Sequence, residues 1–155
     1  MASTRALAFL ARSGVAFRVH HYELNASEAT YGQAVAATLG VGPEQVFKTL
    51  VAVVDGSAML AIVPVNVVLS LKNLAKAAGG KKALMADPAD AERWTGYVVG
   101  GISPFGQKRN LPTFLDMSAE SADTIYVSAG QRGLQVELTP SDVVYLTDAQ
   151  LAPLV

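Results

Sequence analysis

The segment from Val46 to Val63 constrains the fold of this 155-residue chain more than any other. Val46 to Val54 is a run of β-branched and apolar residues typical of a strand, and Met59 to Val63 is a second such run. Between them lies Asp55-Gly56, a dipeptide favoured in type I′ hairpin turns. The sequence therefore predicts an antiparallel β-hairpin here.

Capping and turn signals predict shorter elements on both sides of this hairpin. The first predicted helix runs from Arg5 to Ser13 before Gly14, and the second is opened by the Thr30/Gln33 capping box and ended by Gly40. A third helix is capped by Ser70 and runs to Ala78, and a short fourth helix begins at Asp87-Pro88. A last helical turn is opened by Ser141 or Asp142. The predicted strands are the alternating Val15, Phe17 and Val19, the strand-like Tyr97 to Val99, and Ile125 to Ser128 and Leu134 to Leu138 around a Gly130 to Gly133 turn. Together they predict one mixed α+β domain over residues 1–155, with a largely hairpin-connected sheet.

The cysteine and histidine content excludes several kinds of site. The chain has no cysteine, which rules out a thiolate nucleophile, an iron–sulfur cluster, a zinc ribbon and a disulfide framework. The two histidines, His20 and His21, are adjacent, and neighbouring side chains on a strand point to opposite faces. We therefore expect no metal catalysis.

Apolar content and charge limit the possible partners. Although 51% of the residues are hydrophobic, no apolar run approaches the ~18 residues of a membrane span, so we expect a soluble cytoplasmic protein with no membrane partner. A net charge of -1 argues against tight binding of nucleic acid by bulk electrostatics. Residues 72–109 nevertheless carry seven basic and three acidic side chains, which fits either local phosphate contact or an ordinary solvated helix face.

Lys48 is the most informative single residue. Strand alternation places it on a face that is otherwise apolar, with Val46, Leu50, Ala52 and Val54. A lysine on such a face is costly unless an anion or carbonyl groups meet it, which makes it a candidate functional residue. Alternatively, it reaches water from the start of the strand and protects a sheet edge.

Two glycine-containing segments could bring backbone amides close to a ligand. Residues 100–108 contain three glycines, a serine and a proline but do not match a P-loop, since Lys108 is not followed by Ser or Thr. Ser128-Ala129-Gly130 is the second segment. Both are equally well explained as tight loops. The polar residues Tyr22, Thr30 and Tyr31 have an ordinary explanation too, as half-buried tyrosines and a helix cap.

Several motifs, taken together, resemble the YbaK/EbsC family, the free-standing relatives of the editing domain inserted in bacterial prolyl-tRNA synthetase. The similarity extends from about Phe17 to Leu146 and is greatest to the YbaK-type Cys-tRNA(Pro) deacylases. The motifs are Phe47-Lys48-Thr49-Leu50, Gly79-Gly80-Lys81-Lys82, Met85-Ala86-Asp87-Pro88, the run from Thr95 to Pro104, Gly106-Gln107-Lys108 and the run from Ile125 to Gly130.

The resemblance implies a mixed, largely antiparallel sheet or barrel wrapped by short helices, and a pocket that contains Lys48. It assigns Tyr22, Thr30 and Tyr31 to the pocket. It assigns four loop residues to the side facing the tRNA acceptor end, namely Gly100, Gly101, Ser103 and Pro104. Ser128 and Gly130 are further candidates for substrate binding, although Ala129-Gly130 replaces the common double glycine of the family.

The resemblance also implies a reaction, the release of cysteine from mischarged Cys-tRNA(Pro). In YbaK-like enzymes the substrate's own thiol is thought to attack the ester, so the protein has mainly to position the ester and stabilise an oxyanion. We expect Lys48 to anchor and polarise the substrate, and the Gly100 and Gly101 amides to contact the oxyanion or the 3′-adenosine. We expect no cofactor, and a transient complex with prolyl-tRNA synthetase that supplies tRNA recognition. The alternatives are a deacylase for Ala-tRNA(Pro) or a Ser-tRNA, and a non-catalytic module that binds aminoacyl or nucleotide ligands.

Overall fold

A computed structural model describes residues 3–23 and 31–155 of the chain. The α-helices in these ranges are α1 (Arg5–Ser13), α2 (Tyr31–Leu39), α3 (Leu71–Ala77), α4 (Pro88–Thr95) and α5 (Pro140–Thr147). The strands are β1 (Arg18–His21), β2 (Phe47–Val54), β3 (Ser57–Pro64), β4 (Ala83–Met85), β5 (Thr113–Asp116), β6 (Ile125–Gln131), β7 (Leu134–Leu138) and β8 (Gln150–Ala152). Short 3-10 turns cover Pro43–Gln45 and Met117–Ser121. The fold is the mixed α+β class that the sequence predicts.

The predicted hairpin is confirmed as the β2–β3 pair at the centre of a five-stranded sheet with the order β4-β2-β3-β5-β8. Its antiparallel register runs from Val54 opposite Ser57 to Phe47 opposite Pro64. Asp55 and Gly56 both have positive φ, 47° and 85°, as a type I′ turn requires. The outer strands β5 and β8 add in parallel, so the sheet is mixed.

A second, antiparallel sheet has the order β1-β7-β6. A bulge between Ser128 and Gln131 interrupts the β6–β7 ladder. The two sheets meet where Val46, just before β2, forms a single parallel bridge to Tyr126 of β6. We call this junction the seam. Helix α2 covers it, because Val35 and Ala36 cluster with Val46 and Tyr126.

Strand alternation in β2 divides the main core between two faces. Phe47 packs into a cluster that includes Leu10 of α1 and the inner residues of β6 and β7. Ala52 points the other way and clusters with Leu74 of α3. The hairpin is thereby covered on both sides, which explains why its strands are almost continuously apolar.

Most of the predicted helix boundaries are confirmed. Helix α1 ends at Gly14 in the left-handed conformation, and the Ser70 side chain accepts a hydrogen bond from the Asn73 amide at the start of α3. The prediction that Ser141 or Asp142 opens the last helix is wrong. Thr139 is the cap, since its hydroxyl accepts from the Asp142 amide.

Three other predictions need correction or fall outside the described residues. Asp87 precedes α4 at the N-cap position, but its side chain makes no capping hydrogen bond. The predicted strand Tyr97 to Val99 is a loop, because the Val99 amide donates to Glu92 Oε2 at 2.9 Å and the Tyr97 amide to Thr95 Oγ1 at 3.2 Å. Those amides are therefore not free to pair with a strand. Thr30, the predicted cap of α2, lies outside the described residues.

No helix in the described part of the chain is both long and apolar enough to span a bilayer.

Candidate active site

A cavity of about 420 Å³ opens at the seam between the two sheets. This is within the ~300–1,000 Å³ range of small-molecule sites. Its walls come from the first half of β2, the start of α2, the start of α4, the loop around Gly100, and the facing strands β6 and β7. Most of its surface is apolar, and the apolar side chains are Val35, Val46, Phe47, Leu50, Val51, Val65, Met85, Ala86, Pro88, Ala91, Val99 and Ile102.

Lys48 lies in this cavity, half-buried, at the start of β2. Its Nζ donates a hydrogen bond of 2.8 Å to the carbonyl of Val67. Burial lowers the pKa of Lys48 below the ordinary value of a lysine, because the charged form loses hydration. A backbone carbonyl group thus meets the ammonium of Lys48 in this cavity.

Two tyrosines form a hydrogen-bonded pair at one wall. Tyr31, the first residue of α2, lines the cavity, and its hydroxyl lies 2.8 Å from that of Tyr22. The Gly133 amide donates to the Tyr31 hydroxyl at 3.3 Å, and Gln135 Nε2 donates to the Tyr22 hydroxyl at 3.4 Å. Burial, reinforced by the bond to Tyr31, raises the pKa of Tyr22 to about 12, so Tyr22 stays protonated at neutral pH. Tyr22 therefore supports the wall through Tyr31.

Close packing brings Tyr31 to this position. A Cβ atom on the next residue, Gly32, would lie only 2.7 Å from Cβ of Val65. Any larger residue would push the start of α2 away from the turn after β3 that carries Val65.

Two residues that line the cavity each have a buried polar atom with no hydrogen-bond partner among the described residues, Thr49 Oγ1 and Gln135 Oε1. Thr49 is 8% exposed and Gln135 is 6% exposed. Leaving such atoms unpaired costs about 1–3 kcal/mol each. A ligand group that donates a hydrogen bond to either atom would recover this cost.

The glycine-rich loop contributes less to the cavity than the resemblance implies. Gly100 lines it, but the amide of Gly101 donates to the Val98 carbonyl at 2.8 Å and cannot serve an oxyanion. Ser103 is fully buried, and its hydroxyl accepts from the Phe105 amide at 3.2 Å. Pro104 faces a different cavity, together with Phe9 of α1. Of these four residues, only Gly100 lies at the site.

Ser128 and Gly130 also differ in their placement. Ser128, on β6, lines the cavity and accepts from the Gly130 amide at 3.2 Å through its hydroxyl. Gly130 has φ of +110°, and a Cβ there would lie 3.0 Å from atoms of Thr4 and Tyr97. Gly130 thus packs against α1 and the loop after α4, and Ser128 alone of this pair lines the cavity.

Comparison with known proteins identifies the family. A family model described as the aminoacyl-tRNA editing domain matches residues 26–146. This chain belongs to that family. It is 45% identical over 121 residues to EbsC of Enterococcus faecalis, a Cys-tRNA(Pro)/Cys-tRNA(Cys) deacylase by name, with 77% of this chain and 74% of EbsC covered.

Two further relatives of this editing domain cover nearly all of it. The multifunctional Ser/Thr-tRNA deacylase ProXp-y of Escherichia coli strain K12 is 30% identical over 152 residues, with 95% of this chain and 89% of ProXp-y covered. A crystal structure described as a trans-editing enzyme for prolyl-tRNA synthetase superposes with a TM-score of 0.87 at 25% identity, covering 99% of this chain and 98% of that one. The predicted family resemblance is confirmed.

Sequence reasoning missed four polar residues of the editing domain's cavity, namely Gln33, Thr49, Arg132 and Gln135. Thr49 stands beside Lys48 in a quoted motif, but only the structure shows that its hydroxyl is buried and unpaired. Gln135 has no local signal. Arg132 lines the cavity mouth with its guanidinium carbon 4.5 Å from the centre of the Tyr31 ring, a cation–π contact. Arg132 lies in the turn between β6 and β7 and Gln135 lies on β7, so both are remote from Lys48 in sequence.

The cavity lining defines the available chemistry. Among the described residues that line it there is no His, Cys, Asp or Glu. Within residues 3–23 and 31–155, no group of three or more such side chains is placed to hold a metal ion. The described lining therefore supplies hydroxyls, amides and two cations, but no conventional general base.

Proposed function

We propose that this editing domain is a free-standing aminoacyl-tRNA deacylase that releases cysteine from Cys-tRNA(Pro). The observation that carries the proposal is the half-buried ammonium of Lys48, held by the Val67 carbonyl in an apolar cavity of substrate size. Family membership supplies the aminoacyl-tRNA ester as substrate class. The proposal treats residues 1–155 as a single editing domain that acts in the cytoplasm, where tRNA is charged.

The lack of a base in the described lining favours a reaction in which the substrate brings its own nucleophile. In a cysteinyl ester, the thiol sulfur attacks the ester carbonyl carbon and forms a carbon–sulfur bond. The bond from that carbon to the ribose 3′ oxygen then breaks, and this oxygen leaves with the electron pair and takes up the proton lost by the thiol. The products are tRNA with a free 3′ hydroxyl and a cysteine thiolactone, which water opens to cysteine.

Lys48 has a defined part in this step. Negative charge develops on the carbonyl oxygen in the transition state, and a preorganised cation in a water-poor cavity stabilises it. Burial of the Lys48 ammonium makes an incoming anionic oxygen more favourable than in water. The amide of Gly100 is a second candidate donor, whereas that of Gly101 is already used.

A second candidate function has one observation in its favour. ProXp-y, which covers 95% of this chain, is a Ser/Thr-tRNA deacylase by name. Greater identity to EbsC, 45% against 30%, favours cysteine. A missing group in an apolar pocket changes discrimination by only about 1–3 kcal/mol, so small substitutions in the lining could change the preferred amino acid.

Recognition of the tRNA body is proposed to come from a partner. The net charge of -1 gives the domain little affinity for RNA phosphates, and the basic side chains of residues 72–109 are exposed. A transient complex with prolyl-tRNA synthetase would supply acceptor-stem recognition. Weak, salt-sensitive binding of free tRNA is the expected result.

Release of Cys, Ala, Ser, Thr and Pro from tRNA(Pro), measured with and without the synthetase, tests the function. We expect cysteine to be released fastest. Lys48→Ala should lower kcat by about 10²–10³-fold, as loss of an oxyanion-stabilising donor does in other enzymes. Arg12→Ala removes an exposed cation on α1 and should leave the rate unchanged.

Three outcomes would each overturn a part of the proposal. Wild-type rates in a folded Lys48→Ala variant would remove the assigned role of Lys48. Failure to release any amino acid would leave a binding module, whereas preferential release of serine or threonine would favour the second candidate.

A further inference from the structure

The unpaired amide oxygen of Gln135 points to how the editing domain recognises the amino acid. We propose that Gln135 Oε1 accepts a hydrogen bond from the α-ammonium group of the aminoacyl ester, which makes the pocket selective for a free α-amine. The inference rests on the proposed function, because it assumes an aminoacyl group in this cavity.

The strand pairing fixes the position of Gln135. It lies on β7 opposite Ser128 of β6, and both residues line the cavity. Nε2 of Gln135 donates to the Tyr22 hydroxyl at 3.4 Å, and Oε1, at the other end of the amide, has no hydrogen-bond partner among the described residues. The Tyr22 hydroxyl lies 2.8 Å from that of Tyr31, so the Nε2 end of the amide is anchored to a hydrogen-bonded pair of tyrosines.

An unpaired amide oxygen selects a particular kind of ligand group. It can only accept, and at 6% exposure of the residue it has little access to water in place of a ligand. A ligand must therefore bring a donor, and hydrogen bonds from charged donors are about twice as strong as those from neutral ones. The α-ammonium is the charged donor of an aminoacyl ester.

The rest of the described lining fits this orientation. Lys48 presents a donor-only group, which suits the carbonyl oxygen or a phosphate and repels an ammonium. No carboxylate lies among the described lining residues, so Gln135 does not compete with an acid for the amine. Thr49 Oγ1, the other unpaired atom, can both donate and accept and so discriminates less.

Binding of two non-cleavable probes tests the inference. The first is 3′-aminoadenosine carrying cysteine through an amide bond, and the second carries 3-mercaptopropionate, which is cysteine without its α-amine. We expect the wild-type domain to bind the first probe about 10–100-fold more tightly, the range for one hydrogen bond to a charged group. In Gln135→Leu this ratio should fall to about one, whereas Gln135→Glu should keep it because an acceptor remains. Gln150→Leu changes an exposed glutamine on β8, away from the cavity, and should also keep the ratio.

The outcomes separate this inference from the proposed function. Equal wild-type affinity for the two probes, or an undiminished ratio in Gln135→Leu, overturns the role of Gln135 even if cysteinyl-tRNA is cleaved. A wild-type preference that Gln135→Leu abolishes supports the role, even if no ester is cleaved and the proposed function fails. The wild-type comparison stands if Gln135→Leu does not fold, because equal affinities there already overturn the inference.

Discussion

Replacing Thr49 by valine should stabilise the domain, although substitution of a buried polar residue usually lowers the stability of a protein. Thr49 lies on β2, 8% exposed, and its Oγ1 has no partner among the described residues. Valine has the same branched shape without the hydroxyl and suits a strand at least as well. The change removes an unpaired buried group that costs about 1–3 kcal/mol, so we expect the free energy of unfolding to rise by about 1–2 kcal/mol.

A matched threonine on another strand of the same sheet serves as control. Thr113 on β5 is 6% exposed, and its Oγ1 donates to the Leu111 carbonyl at 3.0 Å. Thr113→Val breaks a formed hydrogen bond and should lower the free energy of unfolding by about 0.5–1.5 kcal/mol. The same substitution at two buried strand positions is thus expected to have opposite signs.

Urea unfolding, followed through the fluorescence of Trp94, measures both variants. With a slope of about 2 kcal/mol/M, the midpoint should rise by about 0.5–1 M for Thr49→Val and fall by a few tenths of a molar unit for Thr113→Val. A midpoint for Thr49→Val that equals or falls below wild type would refute the argument, since the hydroxyl would then have a partner in solution. Slower deacylation by the stabilised variant would show that the unpaired group serves the substrate.

Two further predictions concern stability. The hydrogen bond from Thr124, supported by contacts with His20 and Tyr126, holds the pKa of Glu137 below its ordinary value of 4.5, although burial acts in the opposite direction. The ionised Glu137 side chain therefore stabilises the fold above pH 4.5, and this contribution is lost as the pH falls through the folded-state pKa. Glu137→Gln should have a lower free energy of unfolding than wild type at pH 7, and the difference should disappear under acidic conditions. A difference that does not change with pH in urea titrations would contradict this prediction. Gly101→Ala would put a Cβ 2.8 Å from Cα of Gln131, a backbone atom, and overpacking of this kind should lower thermal stability by about 1–3 kcal/mol. An unchanged melting temperature would show that the loop moves aside freely.

Local chemistry made much of this fold predictable. The Asp55-Gly56 turn needed only neighbouring residues to specify it, as did the glycine that ends α1 and the Ser70 cap. The strand prediction at Tyr97 failed because side chains of Thr95 and Glu92 take up the amides that a strand would have paired. Strand β5 was missed because it is only four residues long and pairs in parallel with β3, a partner that no turn signal connects to it.

The candidate site likewise contains some residues that the sequence could predict and others that it could not. Lys48 could be predicted because strand alternation places its charged side chain on a face that is otherwise apolar. Gln135 could not, since nothing near it in sequence shows that its amide oxygen would be buried without a partner. The family motif grouped Ser103 and Pro104 with Gly100, but backbone geometry alone determines which of them turns toward the cavity.

The seam between the two sheets has a consequence for the order of folding. The cavity lies where a single bridge, Val46 to Tyr126, joins strands that are distant in the chain. Closing a contact between such distant segments is entropically expensive and generally follows local pairing. The β2–β3 hairpin and the β6–β7 pair can each form from nearby residues, but neither contains the whole site. During synthesis or refolding, secondary structure would therefore form before any catalytic competence, and truncation after β3 would leave a hairpin without a pocket.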